Sequence, residues 1–193
     1  FIDTLQGPAK DDATARARFL GIMQTQATRM ARLIDDLLSL SQVELSAHVR
    51  LDTLVDIVPI IRQMADGLEP LARERQVTIE NDLPETPVMI AGNREELLRL
   101  FENLIENACK WSKRRVRISA GPSGLGQMIV VVEDDGPGLP ADQRETVMKR
   151  GARLDESAPG SGLGLSIVED LTRAYGGRLT LGDSEMGGLK VVL

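Results

Sequence analysis

Two strand-like runs joined by a short glycine-rich connection constrain the fold of this chain most. Residues 115–120 and 127–133 are rich in β-branched side chains, and "GPSGLG" between them has the composition of a hairpin loop. Because so short a connection joins antiparallel neighbours, a purely parallel sheet is disfavoured. Strand and helix patterns are mixed along the rest of the chain after residue 45. We therefore predict an α+β fold, a two-layer α/β sandwich with helices on one sheet.

Hydrophobic period and turn residues place the other elements. Helices are predicted over 55–76, 94–110 and 162–175, and further strands near 49–55, 77–82, 88–92, 177–181 and 188–193. Asn93 followed by Glu96 predicts a capping box at the start of the second of these helices. The stretch 134–161 is expected to be irregular.

A long amphipathic segment precedes the mixed region. Residues 16–45 carry an apolar seam at spacings of three and four, formed by Phe19, Met23, Met30, Leu33, Leu37 and Leu40, with Gln26 at its one polar position. Such a seam needs a partner, which is either a globular core or another helix of a hairpin or bundle. The turn "QGPAKDD", with only a short stub before it, favours an antiparallel hairpin whose first helix is truncated.

Composition excludes several functional classes. The 193 residues have a net charge of −6 and 3% aromatic side chains, which disfavours nucleic-acid binding. The longest apolar run, residues 128–132, is far shorter than the roughly 20 residues of a membrane span. The single Cys109 excludes an internal disulfide and is typical of a reducing compartment. We expect a soluble, cytoplasmic chain without nucleic-acid or membrane contact.

Two asparagines and a lysine share one stripe of the helix 94–110. Asn103, Asn107 and Lys110 stand at i, i+4 and i+7, apart from the apolar stripe. Asparagine is a poor helix former, so two on one face indicate a functional reason. Amide oxygens suit Mg²⁺ that keeps waters and substrate phosphates in its shell, and lysine neutralises phosphate charge. A solvated polar face is the alternative.

A carboxylate followed by glycines forms a second candidate. Asp134 ends a strand of buried type, and Gly136 and Gly138 follow it. A carboxylate in this position can accept a hydrogen bond from an exocyclic amine such as that of adenine, while the glycines allow the backbone to approach the base. An acidic turn after an edge strand is the alternative.

A third candidate is the stretch "PGSGLGLSIVEDL", in which Gly160, Gly162 and Gly164 precede a helix. Backbone amides at a helix N-terminus bind anionic oxygens such as those of phosphate. A dinucleotide-binding oxidoreductase, with Asp183 on the ribose, is a rival interpretation. It is disfavoured because "ARLDESAP" before the glycines is not a strand and because the spacing is G-x-G-x-G.

The order of the three motifs resembles one family. Asn-x-x-x-Asn-x-x-Lys, Asp-x-Gly-x-Gly and Gly-x-Gly-x-Gly are similar to the ATP-binding domain of bacterial sensor histidine kinases, in the superfamily of the gyrase, MutL and heat-shock chaperone ATPases. "FLGIMQTQATRMARLIDDLLSLSQVE" resembles the second helix of their dimerisation and phosphotransfer hairpin, with the phosphate-regulon sensor type most similar. The resemblance implies a truncated hairpin over residues 1–48 and an ATP-binding catalytic domain over 49–193.

The resemblance implies ATP and Mg²⁺ as cofactors and assigns a role to each matching residue. Asn107 would be the principal Mg²⁺ ligand with Asn103 beside it, and Asp134 would read the adenine amine. Lys110, Arg150 and Arg153 would act on the phosphates as catalytic residues, the two arginines from a lid over 139–161. The remaining nucleotide contacts would be Trp111, Gly136, Gly138, Gly160, Ser161, Gly162, Leu163 and Gly164.

The resemblance also implies an activity and partners. A protein histidine kinase transfers the ATP γ-phosphoryl group to a histidine for relay to a response-regulator aspartate. A homodimer through the hairpin, a response-regulator receiver domain as partner and a membrane-anchored parent protein would follow. His48 lacks the acidic, Arg-Thr-Pro context of the acceptor histidine. The acceptor histidine itself is expected upstream of Phe1. The alternative is a nucleotide-binding or dimerisation module without turnover.

Overall fold

The computed structural model describes residues 14–15, 17–24, 26–27, 30, 53–124, 127–148 and 162–193. The chain divides into two units, Phe1–Ser39 and Leu40–Leu193. In the first unit, every described residue between 14 and 30 is helical, as the apolar seam predicts for this part. The rest of the predicted helix and the predicted domain boundary after residue 48 lie outside the described residues and stay predictions.

A five-stranded mixed sheet forms one layer of the second unit in the part of the chain that is described. The strands are β1 (Leu54–Asp56), β2 (Thr78–Asp82), β3 (Met89–Ala91), β4 (Arg115–Pro122), β5 (Met128–Asp134), β6 (Thr180–Asp183) and β7 (Leu189–Val192). The sheet has the order β2-β4-β5-β7-β6, while β1 and β3 form a separate antiparallel pair. Only β2 and β4 are parallel neighbours in the sheet. The predicted antiparallel hairpin is thus confirmed as β4 and β5.

Helices form the other layer. They are α1 (Ile57–Glu74), α2 (Arg94–Trp111), α3 (Arg144–Val147), which follows a 3₁₀ turn at Ala141–Gln143, and α4 (Gly164–Ala174). α1 and α4 both pack against α2, and all three contribute buried side chains to the same core as the sheet. The two-layer α+β sandwich predicted from the sequence is confirmed. Within the described residues, no helix combines the length and the apolar character that crossing a membrane requires.

The alternation of side chains along β4 and β5 directs one carboxylate into the core. Val116 and Ile118 of β4 are fully buried, and they pair with Asp134 and Val132 of β5. Because side chains two residues apart share a face, Asp134 lies on the same helix-covered face as Val130 and Val132. The fold therefore places Asp134 at the end of an apolar row rather than on the outer face of the sheet.

The start of α2 departs from the predicted capping box. Asn93 Oδ1 accepts hydrogen bonds from the backbone N–H groups of Glu95 (2.8 Å) and Glu96 (3.4 Å), as expected for an N-cap. The Glu96 side chain instead accepts from the Tyr175 hydroxyl at 2.7 Å, and that hydroxyl oxygen accepts from the Asn93 N–H at 3.0 Å. The pKa of Tyr175 is raised above its ordinary range, mainly by desolvation and secondly by the hydrogen bond to Glu96. One hydroxyl thus joins the end of α4 to the start of α2.

The last hairpin begins later than the sequence pattern predicted. The strand expected near 177–181 is β6, which starts at Thr180. The N–H groups of Gly176 and Gly177 still bond to the carbonyls of Arg173 and Thr172 at the end of α4, and Gly176 has a φ of +73°. This left-handed helix ending occupies the residues that the pattern assigned to the strand. Likewise, the stretch expected to be irregular after residue 134 contains the 3₁₀ turn and α3.

Truncating the large buried side chain of Phe101 should strongly lower the free energy of unfolding. Phe101 of α2 is 2% exposed, so Phe101→Ala should lower the free energy of unfolding by about 3–5 kcal/mol because it leaves a cavity. The exposed neighbour Glu102 serves as control, and Glu102→Ala should change stability by less than about 0.5 kcal/mol. Urea unfolding followed by circular dichroism measures both values. Equal losses in the two variants would contradict this placement of α2.

Candidate functional site

The two asparagines of α2 face the first residue of α4. A Cβ atom on Gly164 would lie 3.0 Å from Asn107 Nδ2 and 3.2 Å from Asn103 Oδ1, which is closer than side chains normally approach. Asn103 Nδ2 donates to the Arg99 carbonyl at 2.8 Å, which fixes the orientation of this amide. The structure thus brings together Asn103, Asn107 and Gly164, three of the residues predicted for the site.

The start of α4 has the features of an anion-binding helix terminus. Gly162 has a φ of +78°, a conformation that favours glycine. Leu163 occupies the N-cap position, and its apolar side chain cannot accept hydrogen bonds from the first backbone N–H groups of the helix. These N–H groups lie at the same end of α4 as the two asparagines. The predicted residues Gly160 and Ser161 lie outside the described residues.

Asp134 is a buried carboxylate held by the backbone. It is 4% exposed, and its Oδ1 accepts hydrogen bonds from Gly136 N–H at 2.8 Å and Leu189 N–H at 3.1 Å. Desolvation raises the pKa of this carboxyl group, and the two backbone hydrogen bonds oppose that shift only in part. The field of the neighbouring Asp135 raises the pKa further. The charge therefore lies in a site where a complementary donor would be strongly favoured.

Gly136 lies directly against this carboxylate, where no side chain would fit. A Cβ on Gly136 would overlap the Trp111 carbonyl oxygen and lie 2.8 Å from Asp134 Oδ1. Gly138 has a φ of +72°, and its Cβ would lie 3.4 Å from the Gly188 carbonyl oxygen. Gly136 thus lies beside Asp134 and Gly138 beside Gly188, while the role of the two glycines at the adenine base stays a prediction. Gly188 was missed by sequence reasoning, although a glycine pair directly before the last strand was a signal of close backbone approach.

The end of α2 approaches the same region. Lys110 Nζ lies 5.0 Å from the centroid of the Trp111 ring, a cation–π contact, and Trp111 is 39% exposed. The backbone of Trp111 lies beside Gly136. Lys110 and Trp111 are therefore placed near the loop that follows Asp134. The arginines predicted to act from the lid, Arg150 and Arg153, lie outside the described residues.

Asp135, the residue after Asp134, fixes the turn that follows α2, and sequence reasoning also missed this residue. Its Oδ1 accepts hydrogen bonds from the backbone N–H groups of Lys113 (2.9 Å), Arg114 (2.9 Å) and Arg115 (3.0 Å). Desolvation raises the pKa of Asp135, but the hydrogen bonds from Arg114, Arg115 and Lys113 together lower it below its ordinary value. The basic turn after α2 is thus tied to the residue that follows Asp134.

Asp183, the ribose ligand of the rival dinucleotide interpretation, has a different role here. Its Oδ1 accepts from Arg144 Nη2 at 2.5 Å, while Arg144 Nε donates to the Leu139 carbonyl at 3.0 Å. Arg144 therefore joins the loop after Gly138 to β6. Residues 149–161, which include the segment directly before the glycines of α4, lie outside the described part of the chain.

Helices cover one face of the sheet, and a buried carboxylate and a helix that starts with glycine flank one end of α2. This arrangement is the architecture of a nucleotide-binding ATPase domain. Residues 92–193, more than half of the chain, match the family described as "Histidine kinase-, DNA gyrase B-, and HSP90-like ATPase". The chain belongs to this family, and its catalytic domain is that of a two-component sensor histidine kinase.

Individual relatives agree with this assignment. The sensor protein kinase CarS of Pseudomonas aeruginosa is 50% identical over 99 residues, which are 51% of this chain and 22% of CarS. The two-component sensor PhoQ of the same organism is 37% identical over 167 residues, which are 86% of this chain and 36% of PhoQ. The mycobacterial sensor histidine kinase MprB is similar in structure, with a TM-score of 0.62, 32% identity and coverage of 72% of this chain and 93% of that chain.

The chain spans 22% of CarS and 36% of PhoQ. Neither CarS nor PhoQ is named as a phosphate-regulon sensor, so the expected similarity of this chain to that sensor type stays a prediction. Membership of an ATPase family supports ATP as the nucleotide. No group of three or more His, Cys, Asp and Glu side chains suited to a metal ion occurs among the residues that the structure describes.

The contact between Gly164 and the two asparagines predicts the effect of one methyl group. Gly164→Ala should displace the side-chain amides of Asn107 and Asn103, while stability should change by less than about 1 kcal/mol, because the better helix propensity of alanine offsets the tight contact. The shifts of the two amide resonances in ¹H–¹⁵N spectra measure the displacement. Gly67→Ala in α1, where nothing lies within 4 Å of the new Cβ, is the control. Unmoved asparagine resonances in Gly164→Ala would contradict the contact.

Proposed function

We propose that this chain is the ATP-binding catalytic part of a sensor kinase that transfers the γ-phosphoryl group of ATP to a histidine, from which it passes to an aspartate of a response regulator. The observation that carries the proposal is the buried Asp134, placed among glycines on the helix-covered face of the sheet. Such a carboxylate selects a ligand with an exocyclic amine, and the family supplies ATP as that ligand.

The base end of the nucleotide is assigned to Asp134. Its Oδ1 is held by the N–H groups of Gly136 and Leu189, so Oδ2 is the oxygen proposed to accept from the adenine amine. Gly136 and Gly138 keep side chains away from the base, and the half-exposed Trp111 ring is proposed to lie beside it. A carboxylate fixed before binding pays little reorganisation cost when the base arrives.

The phosphate end is assigned to the start of α4 and to the polar stripe of α2. The first backbone N–H groups of α4, after Gly162 and Leu163, would face phosphate oxygens, and Lys110 would neutralise part of their charge. The neutral amide oxygens of Asn107 and Asn103 fit Mg²⁺ that retains waters and phosphate oxygens. When bound, Mg²⁺ supplies charge neutralisation at the phosphates.

Transfer would rely on positioning and charge rather than on a covalent enzyme intermediate. Asp134 holds the base, the α4 amides and Lys110 hold the phosphates, and the reacting phosphoryl group is presented to a histidine of the phosphotransfer hairpin. Contacts from Arg150, Arg153, Gly160 and Ser161 are proposed from the family resemblance alone. The sequence contains one histidine, His48, whose context does not match the acceptor, so the acceptor is supplied separately in the experiment below.

The partners are proposed from the helical segment and from the family. On the apolar seam, Met23 is 37% and Met30 is 63% exposed, which leaves area for a partner helix. A second copy of the hairpin would cover it and form a homodimer. A response-regulator receiver domain would take the phosphoryl group. The chain would act in the cytoplasm as part of a membrane-anchored sensor, as two-component sensors do.

Replacing the base-reading carboxylate should abolish most of the nucleotide affinity. Asp134→Asn retains an oxygen for the backbone donors but loses the charge, so the fold should persist while the dissociation constant for ATP rises about 100-fold. Because burial raises the Asp134 pKa, wild-type affinity should fall on acidification at a higher pH than for an ordinary aspartate, and the variant should lack that step. Calorimetric titration at several pH values measures both effects.

The control for this variant is the adjacent residue on the opposite face of β5. Glu133→Gln should leave ATP affinity unchanged, because side chains of consecutive strand residues point to opposite faces of the sheet. Unchanged affinity in Asp134→Asn would contradict the assignment of the base site, whereas equal losses in both variants would indicate a general effect on the sheet.

Phosphoryl transfer is tested with a separately prepared hairpin that carries the acceptor histidine. The wild-type chain with Mg-ATP should form acid-labile phosphohistidine on that hairpin. Asn107→Ala should slow the transfer by about 100-fold, the usual cost of losing one charge-stabilising group. Asn81→Ala, an exposed asparagine of β2, is the control. Tight ATP binding by the wild type without any transfer would instead favour a nucleotide-binding module without turnover.

A further inference from the structure

We propose that the turn between β6 and β7 positions Asp134 for the nucleotide, with Gly188 as the positioning residue and the Leu189 backbone N–H as the fixing donor. The inference rests on the proposed function, in which Asp134 reads the base. It adds to that function a second segment, remote in sequence, on which the base site depends.

The hydrogen-bond ladder between β5 and β7 ends at the site. Val132 pairs with Val191 and Glu133 pairs with Lys190, so the next rung of the antiparallel register would join Asp134 and Leu189. There, the Leu189 N–H donates to the side-chain Oδ1 of Asp134 at 3.1 Å. The Leu189 N–H, which stands at the next rung of the ladder, therefore orients the Asp134 carboxylate.

The turn that presents Leu189 is closed by its own hydrogen bonds. Ser184 N–H donates to the Gly188 carbonyl at 3.0 Å, and Gly187 N–H donates to the Ser184 carbonyl at 2.9 Å. The Ser184 hydroxyl oxygen accepts from Met186 N–H at 3.1 Å, and Ser184 is buried. These three bonds fix the backbone on both sides of Gly188, so the Leu189 N–H has a defined direction.

Gly188 lies closer to Asp134 than any side chain would permit. A Cβ at this position would overlap Asp134 Oδ1 and the Asp134 carbonyl oxygen, and would lie 2.5 Å from Gly136 N. Gly136 N and Asp134 Oδ1 are the two atoms of the other hydrogen bond to the carboxylate. A residue with a side chain at 188 must therefore displace the turn, the carboxylate or both.

Loss of this positioning has a signature beyond lower affinity. Desolvation and the field of Asp135 raise the pKa of Asp134, while the Gly136 and Leu189 donors lower it by stabilising the ionised form. Lys190, the charged residue next to Leu189, pairs with Glu133 on the opposite face of the sheet. If Leu189 moves away, the pKa of Asp134 should rise further. The pH at which nucleotide binding is lost should then rise as well.

The test compares Gly188→Ala with Gly182→Ala, a glycine of β6 where nothing lies within 4 Å of a new Cβ. We expect Gly188→Ala to raise the ATP dissociation constant at neutral pH by about 10-fold or more, the size of one weakened charged hydrogen bond. The midpoint of the pH dependence of binding should move upward. Gly182→Ala should change neither quantity. The ¹³C titration of the Asp134 carboxyl group reports the same shift without nucleotide.

A milder variant covers the case in which Gly188→Ala does not fold. Ser184→Ala removes only the acceptor for Met186 N–H and should shift the Asp134 titration and the ATP affinity in the same direction by a smaller amount. Unchanged titration and affinity in the folded variants, with normal ATP binding by the wild type, would overturn the inference. If the wild type does not bind ATP, the proposed function fails, and the carboxyl titration alone still decides whether the turn positions Asp134.

Discussion

The structure of the site depends on one buried carboxylate. Asp134 continues the apolar row of β5 onto the helix-covered face of the sheet, where a charge is costly. Two backbone donors, Gly136 and Leu189, offset part of that cost, and they reach the carboxylate only because glycines at 136 and 188 lack side chains. A ligand donor at the remaining oxygen would offset more. In the proposed function, the same desolvation that makes the Asp134 charge unfavourable in the isolated chain makes this carboxylate selective for a ligand.

The proposed phosphate side of the site depends on how α4 lies against α2. At one end of the pair, the Tyr175 hydroxyl joins the end of α4 to Asn93 and Glu96 at the start of α2. At the other end, Gly164 contacts the amides of Asn103 and Asn107. The two helices therefore run antiparallel, and their mutual position determines where the amide groups at the start of α4 meet the polar stripe of α2. The proposed base site and the proposed phosphate site are both connected to α2, the first through the Trp111 backbone beside Gly136.

Local patterns made much of this predictable. The period of the apolar residues gave the helices and most strands, and the poor helix propensity of asparagine singled out Asn103 and Asn107 before any geometry was known.

The missed contributors act through contacts between segments distant in sequence. Leu189 donates through its backbone, which leaves no trace in residue type, and Tyr175 replaces half of a capping box with a hydroxyl from another helix. The early start predicted for β6 failed because a helix-ending glycine pair looks like a strand boundary in sequence. The roles of Arg150, Arg153, Gly160 and Ser161 stay predictions, because these residues lie outside the described part of the chain.

The central claim is that Asp134 reads an exocyclic amine, and the most direct measurement compares two nucleotides that differ only there. Inosine triphosphate carries an oxygen in place of the 6-amino group of ATP. Calorimetric titration of the wild-type chain in Mg²⁺ should show binding of ATP to one site and at least about 10-fold weaker binding of inosine triphosphate, because a buried carboxylate would face an acceptor instead of a donor. Equal affinity for the two nucleotides, or no heat of binding with ATP, would contradict the account.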